Sequence, residues 1–138
     1  MKILILCTGN SCRSQMAEAF LKSFNKNLDV HSAGTKPTEK VNPYAVKVMR
    51  EIGIDISKNT TKNVSEYLSQ EFDYVITVCD GAKETCPVFI GKVKNRLHFG
   101  FEDPAEAKGT ETEIIEVFRK IRNQIKDEFF KFNKTLSV

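Results

Sequence analysis

The stretch Ile3-Leu4-Ile5-Leu6-Cys7-Thr8-Gly9-Asn10-Ser11-Cys12-Arg13-Ser14-Gln15 decides how the remaining residues are read. Its four leading apolar residues are bounded by turn-formers, which predicts a short buried strand. Cys7 stands where that strand ends, and Arg13 follows in the spacing C-x5-R. From Ser14 an apolar helical pattern runs through Met16 and Phe20 to Phe24. A cysteine is thus expected at a strand end, under a loop carrying Gly9, with an arginine opening a helix. The first N–H groups of a helix lack internal partners and, with the macrodipole, attract a tetrahedral oxyanion. Gly9 lets the backbone approach that anion closely and take dihedrals closed to other residues. Arg13 adds a planar fork of donors able to hold two oxygens at once. The same positive field favours the Cys7 thiolate, so nucleophile and anion clamp are one object.

The other totals limit what this object can serve. A chain of 138 residues is one domain's worth, 1–138, able to bury a core. A net charge of +3, evenly spread, argues against nucleic acid and mildly favours anionic substrates. No apolar run approaches the roughly 20 residues of a membrane helix, and the four-residue run at the start is no signal peptide. Four cysteines in a chain with adequate core content point to catalysis, redox work or metal binding in a reducing, cytoplasmic setting, rather than to a disulfide framework.

Along the chain, strands alternate with helical patterns. Strands are expected at Lys2–Leu6, Leu28–Ser32, Phe72–Val78 and Leu97–Phe99. Asn42-Pro43 starts a helix whose buried face reads as Val46, Met49 and Ile52, stopped by Gly53. A weak helix is expected around Val64–Ser69, and a weak helical segment from Asp80 to Cys86, closed by Pro87. Thr110 with Glu113 forms a capping box for the last helix. Its stripe is Ile114, Phe118, Ile121, Ile125, Phe129 and Phe132; Lys134 to Val138 fray. The alternation predicts an α/β fold, a four-stranded parallel sheet with helices on both faces. Ligands of such sheets bind beyond the carboxyl ends of the strands. Cys7, Cys79 and Asp103 all follow strand ends, so topology lets them meet at one edge.

The segment CTGNSCRSQMAEA resembles the active-site loop of the low-molecular-weight tyrosine phosphatase superfamily. With Ser11-Cys12-Arg13-Ser14-Gln15 it is more similar to the thioredoxin-coupled arsenate reductase branch. The resemblance covers nearly the whole chain. It implies an oxyanion-binding loop made of Thr8, Gly9, Asn10, Ser11, Cys12, Arg13 and Ser14. Ser14 would donate to the Cys7 thiolate and Asn10 would pin the loop. Cys12 reads as a packing residue. Those reductases use a second cysteine at the end of strand three and a third a few residues on, and Cys79 and Cys86 stand in those places. Asp103, before Pro104, matches the family's general acid. Phosphatases of the superfamily carry aromatic residues just after this Asp-Pro; here Ala105 and Glu106 stand instead, which favours a small inorganic oxyanion.

The resemblance therefore implies reduction of arsenate to arsenite by a relay through Cys7, Cys79 and Cys86, recycled by thioredoxin. Phosphate or sulfate would compete, and the enzyme would be a monomer. Three alternatives stay open: a tyrosine phosphatase working through a cysteinyl-phosphate, with no need of Cys79; an oxyanion-binding or redox-sensing protein without turnover; and a reductase recycled by a different thiol donor. No bound cofactor is expected. For a metal, C-x6-C is not a usual zinc knuckle, and His31 and His98 lack ligand-like spacing, so both read as structural or surface residues. Some relatives hold potassium through residues matching Asn10, Glu18 and Ser32 plus a carboxylate. Lys62 occupies the carboxylate's place, and a lysine cannot ligate a cation.

Overall fold

The computed structural model describes residues 1–81, 84 and 86–136. Among them the chain forms four strands, β1 (Lys2–Cys7), β2 (Asp29–Gly34), β3 (Phe72–Thr77) and β4 (Val93–His98). Three α-helices accompany them, α1 (Arg13–Phe24), α2 (Pro43–Arg50) and α3 (Glu111–Thr135). All neighbouring strands are parallel, in the order β2-β1-β3-β4. The strand that opens the chain is therefore interior, which explains why Ile3–Leu6 is an unbroken apolar run: both of its faces are covered.

Alternation along β1 divides the core. Ile3, Ile5 and Cys7 face α1, α2 and α3, packing with Met16, Phe20, Met49, Phe118, Ile121 and Phe129. Leu4 and Leu6 face the other way, against Ala33, Tyr67, Phe72, Val75 and Phe89. The expected helical cover of both faces is met unequally: among the described residues all three α-helices lie on the first face, and the second carries the 3₁₀ turn Val64–Tyr67 and loop residues. That turn carries a capping box, Asn63 with Glu66.

Where the elements differ from expectation, burial is the reason. β4 begins at Val93, not Leu97, because it is an edge strand whose Lys94, Asn95 and Arg96 are exposed and leave no apolar run. The buried face of α2 is Ala45, Val48 and Met49; Ile52 lies past the helix and is 37% exposed. Of the expected face, Val46, Met49 and Ile52, only Met49 is fully buried, and Ala45 is not part of it. The α3 stripe starts at Ile115, with Ile114 only partly buried. Its capping box is as expected: Glu113 N–H donates to Thr110 Oγ1 and Thr110 N–H to Glu113 Oε1, both at 3.2 Å. Buried Arg122 of α3 donates to the Val48 carbonyl (2.8 Å) and to Glu51 (2.9 Å), satisfying the end of α2. The expected helical segment from Asp80 to Cys86 includes Ala82, Lys83 and Thr85, which lie outside the described residues, as do Ser137 and Val138 at the end of the chain.

Candidate functional site

The site grows from the junction of β1 and α1. Cys12 is the residue before the first turn of α1 and gives it no side-chain cap; no acidic residue stands in that turn. The orphan N–H groups of the helix are thus left to whatever occupies the loop. The left-handed residue in this loop is Asn10, with φ 52°, while Gly9 does not take a positive φ. Gly9 serves by smallness instead, since a Cβ there would meet Thr38 Cγ2 at 3.1 Å. Asn10 tolerates αL better than most residues, and this αL bend turns its N–H onto Cys7 Sγ at 3.2 Å.

Asn10 is fully buried and anchors the loop from both ends of its amide. Its Nδ2 donates to Ser14 Oγ (2.8 Å) and Ser32 Oγ (3.0 Å). Its Oδ1 accepts from Lys62 N (2.9 Å) and Gln15 Nε2 (3.1 Å). Because Ser14 accepts from Asn10, its hydroxyl hydrogen is free to point at Cys7 Sγ, 2.9 Å away. Ser32 in turn donates to Glu18 Oε1 (2.6 Å), and Lys62 Nζ lies 4.0 Å from that oxygen. The protein's own ammonium groups, Lys62 and Lys22, therefore face the Glu18 carboxylate from two sides.

Cys7, Thr8, Gly9, Ser11, Cys12 and Arg13 line a cavity of about 910 Å³, together with Asp103 and with Asp80 and Glu84 from the segment between Cys79 and Cys86. Asp103 Oδ2 is 3.7 Å from Arg13 Nη2, while Asp103 Oδ1 caps the 3₁₀ turn Pro104–Glu106 by accepting from Ala105 N. Among the described residues that line the cavity there is no aromatic side chain. Cys12 is buried, and desolvation pushes its thiol up to about 12, so it stays protonated and inert at neutral pH.

Two residues that the sequence reading left outside the site belong here. Glu84 holds the Arg13 fork end-on, with Nη1 to Oε2 at 2.8 Å and Nη2 to Oε1 at 3.0 Å. Burial opposes the charge on Arg13, but the bonds to Glu84, and after them Asp103, hold its pKa above the ordinary value. Burial likewise works against the Glu84 carboxylate, and the bonds from Arg13 outweigh it, so that carboxyl sits below its usual range. A surface glutamate inside a weak helical pattern gives no sign of this in sequence. The second residue is His98, which ends β4 directly opposite Thr77 of β3 and approaches the two cysteines beyond β3. Its expected role as a bland surface residue came from spacing alone; strand order would have placed it.

Cys79 and Cys86 are joined in a disulfide, Cα atoms 5.7 Å apart. Leu6 pairs with Thr77 in register, and Val78 N–H donates to the Leu6 carbonyl at 3.0 Å. Cys7 and Cys79 therefore leave neighbouring strands one residue apart in register, strands about 4.8 Å apart. Both are buried, at 2% and 0% exposure, whereas Cys86 is half-buried. His31, by contrast, packs on Tyr67 and Phe72 away from the cavity.

Residues 2–138 match the family described as low molecular weight phosphotyrosine protein phosphatase. A protein of Halalkalibacterium halodurans named arsenate reductase is 47% identical over 134 residues, spanning 96% of this chain and 95% of its own. A solved arsenate reductase in the reduced state is 32% identical, with a TM-score of 0.77 over 99% of this chain and 98% of that one. Another, in the oxidized state, is 31% identical, with a TM-score of 0.78 over 94% of each chain.

Proposed function

This chain belongs to the low molecular weight phosphotyrosine protein phosphatase family, and we propose that it works within that family as an arsenate reductase. The single observation that carries the reading is the Cys79–Cys86 disulfide, set at the end of the strand beside the one that ends in Cys7. A phosphatase needs neither sulfur, and the cavity offers no aromatic wall to a phosphotyrosine ring among its described lining.

In this reading arsenate sits between the α1 N-terminus and Arg13. The Cys7 thiolate attacks arsenic, and Asp103 protonates the oxygen that leaves as water. Cys79, as a thiolate, then attacks Cys7 Sγ. The electron pair of the sulfur–arsenic bond goes to arsenic, As(V) becomes As(III), and arsenite departs, leaving a Cys7–Cys79 disulfide. Cys86 attacks Cys79, Cys7 leaves as a thiolate, and the disulfide moves to Cys79–Cys86. The dithiol of thioredoxin reduces it and is itself oxidised. Each transfer is thiol exchange, set by thiolate fraction, leaving group and access.

Access supports the order of the relay. Cys7 and Cys79 are buried, whereas Cys86 is partly open, and Val88 and Ile90 beside it are 78% and 81% exposed, an apolar footing for a protein reductant. The relay starts from three reduced thiols, Cys7, Cys79 and Cys86, which requires a reducing compartment and supports a cytoplasmic location. Among the described residues no helix is long and apolar enough to cross a membrane.

The deciding experiment is arsenate-dependent NADPH oxidation with thioredoxin and thioredoxin reductase. Wild type should turn over and Cys79→Ser should not; equal turnover by the two would overturn the relay.

A further inference from the structure

We propose that Cys79, Cys86 and His98, once the disulfide is reduced, form a binding site for a soft divalent cation of the zinc type. The two Sγ atoms and an imidazole nitrogen all lie within 4.8 Å of one another. Tetrahedral zinc with two thiolates and one imidazole sets its donor atoms about 3.5–3.8 Å apart. Breaking the S–S bond lets the two sulfurs, on Cα atoms 5.7 Å apart, part toward that spacing.

His98 is prepared for such a role in two ways. Thr77 Oγ1 lies 2.7 Å from His98 Nδ1 and 3.5 Å from the Leu97 carbonyl, so a hydroxyl turned to that carbonyl accepts from His98 Nδ1–H. In that arrangement Nε2 carries a free lone pair, as when outer partners orient metal-bound imidazoles. The space around Nε2 is then kept clear by two glycines. A Cβ on Gly100 would come within 3.0 Å of Nε2, and one on Gly81 within 3.6 Å. Both glycines have ordinary negative-side or extended backbones, so neither is required by its φ. Their lack of a side chain instead leaves room beside the ring nitrogen. His98 is exposed and Cys86 half-buried, so a hydrated ion can reach the site and water can complete its coordination.

Binding balances simply: two thiols lose two protons, two thiolates and one neutral imidazole take the cation, and no electron moves. The disulfide form has no thiolates to offer, so the site exists only in the reduced protein. Occupancy would hold both outer relay sulfurs and halt recycling. That consequence rests on the proposed function; the site does not.

The test is zinc affinity, measured by competition with a chromophoric chelator on protein reduced with a metal-inert phosphine. The reduced wild type should take up one zinc. His98→Ala should weaken binding by more than the roughly 10- to 100-fold that outer-shell partners cost, and Thr77→Val should fall within that range. Cys7→Ser should bind as wild type does. Equal affinity of His98→Ala and wild type, or zinc uptake by the disulfide form, overturns the site. Each of these measurements is independent of arsenate turnover, so a failure of the enzyme reading would leave them standing. Zinc inhibition of thioredoxin-driven turnover, relieved by chelator and weaker in His98→Ala, would extend the site to control of the relay.

Discussion

The loop around Cys7 and the stretch around Cys86 are built on opposite principles. Around Cys7, Asn10, Ser14 and Gln15 are wholly buried and bonded to one another, so each polar group is fixed by the next. Around Cys86 much of the surface is open: Gly81 is exposed, Glu84 lies half-open on Arg13, and Val88 and Ile90 face solvent on either side of buried Phe89. The contrast separates two physical demands. Capturing an oxyanion favours donors that need no reorganisation when charge arrives. Handing a disulfide to another protein requires a sulfur at the surface, on backbone that tertiary packing does not lock.

Four substitutions probe that contrast. Cys7→Ser should abolish arsenate turnover while sparing phosphate binding, measured by calorimetry; retained turnover would move the chemistry out of the buried loop. Asp103→Asn should lower the rate of arsenite release in a single turnover by about 100- to 10,000-fold, the range of a lost proton donor. A smaller loss would mean that Asp103 chiefly caps the turn before Glu106.

Glu84→Gln tests whether the two regions compete for one cation. In the disulfide form the Glu84 carboxylate stands on the Arg13 fork as an oxyanion would. Its removal should raise phosphate affinity of that form by up to about tenfold, the scale of one charge-assisted hydrogen bond at a partly open site. An affinity that falls would show that Glu84 props the fork instead. Because the Glu84 carboxyl is held below its ordinary value of 4.5, the pair contributes fully above that pH and is lost as pH falls through the lowered value. The difference between wild type and Glu84→Gln should therefore vanish in acid. The smallest effect belongs to Cys12→Ala, which should change turnover less than about twofold. With its thiol pushed up to about 12, Cys12 should also be the last cysteine of the reduced protein to react with iodoacetamide at neutral pH, followed by mass spectrometry.

What could be read from sequence follows the same division. The β1–α1 junction was legible because an apolar run, a C-x5-R spacing and a helical period coincide in one short stretch. The capping box at Thr110 was legible because both of its halves are local. The reach of β4 back to Val93 was not, since an exposed edge strand carries no apolar signature. Nor was the phase of α2, because Ala45 buries a methyl group that hydropathy scarcely weighs. Glu84 on Arg13 and His98 beside Cys79 are contacts between distant segments, and spacing says nothing about those until the strand order is known. The left-handed turn fell to Asn10 where glycine had been the natural guess, since a buried amide with four partners can hold a strained backbone that an unbonded residue could not.

Gly34, the last residue of β2, carries a consequence of its own. A methyl group there would drive into the Thr8 carbonyl and come within 3.0 Å of Asn10 N, while Gly34 N–H is already committed to the Lys62 carbonyl at 2.9 Å. The tip of one strand is thus the floor on which the next strand's loop rests, with a third segment clamped beneath it. Anion recognition in this molecule is consequently calibrated by a position that never meets the anion: thicken that floor by a single carbon and the receptor above it must tilt.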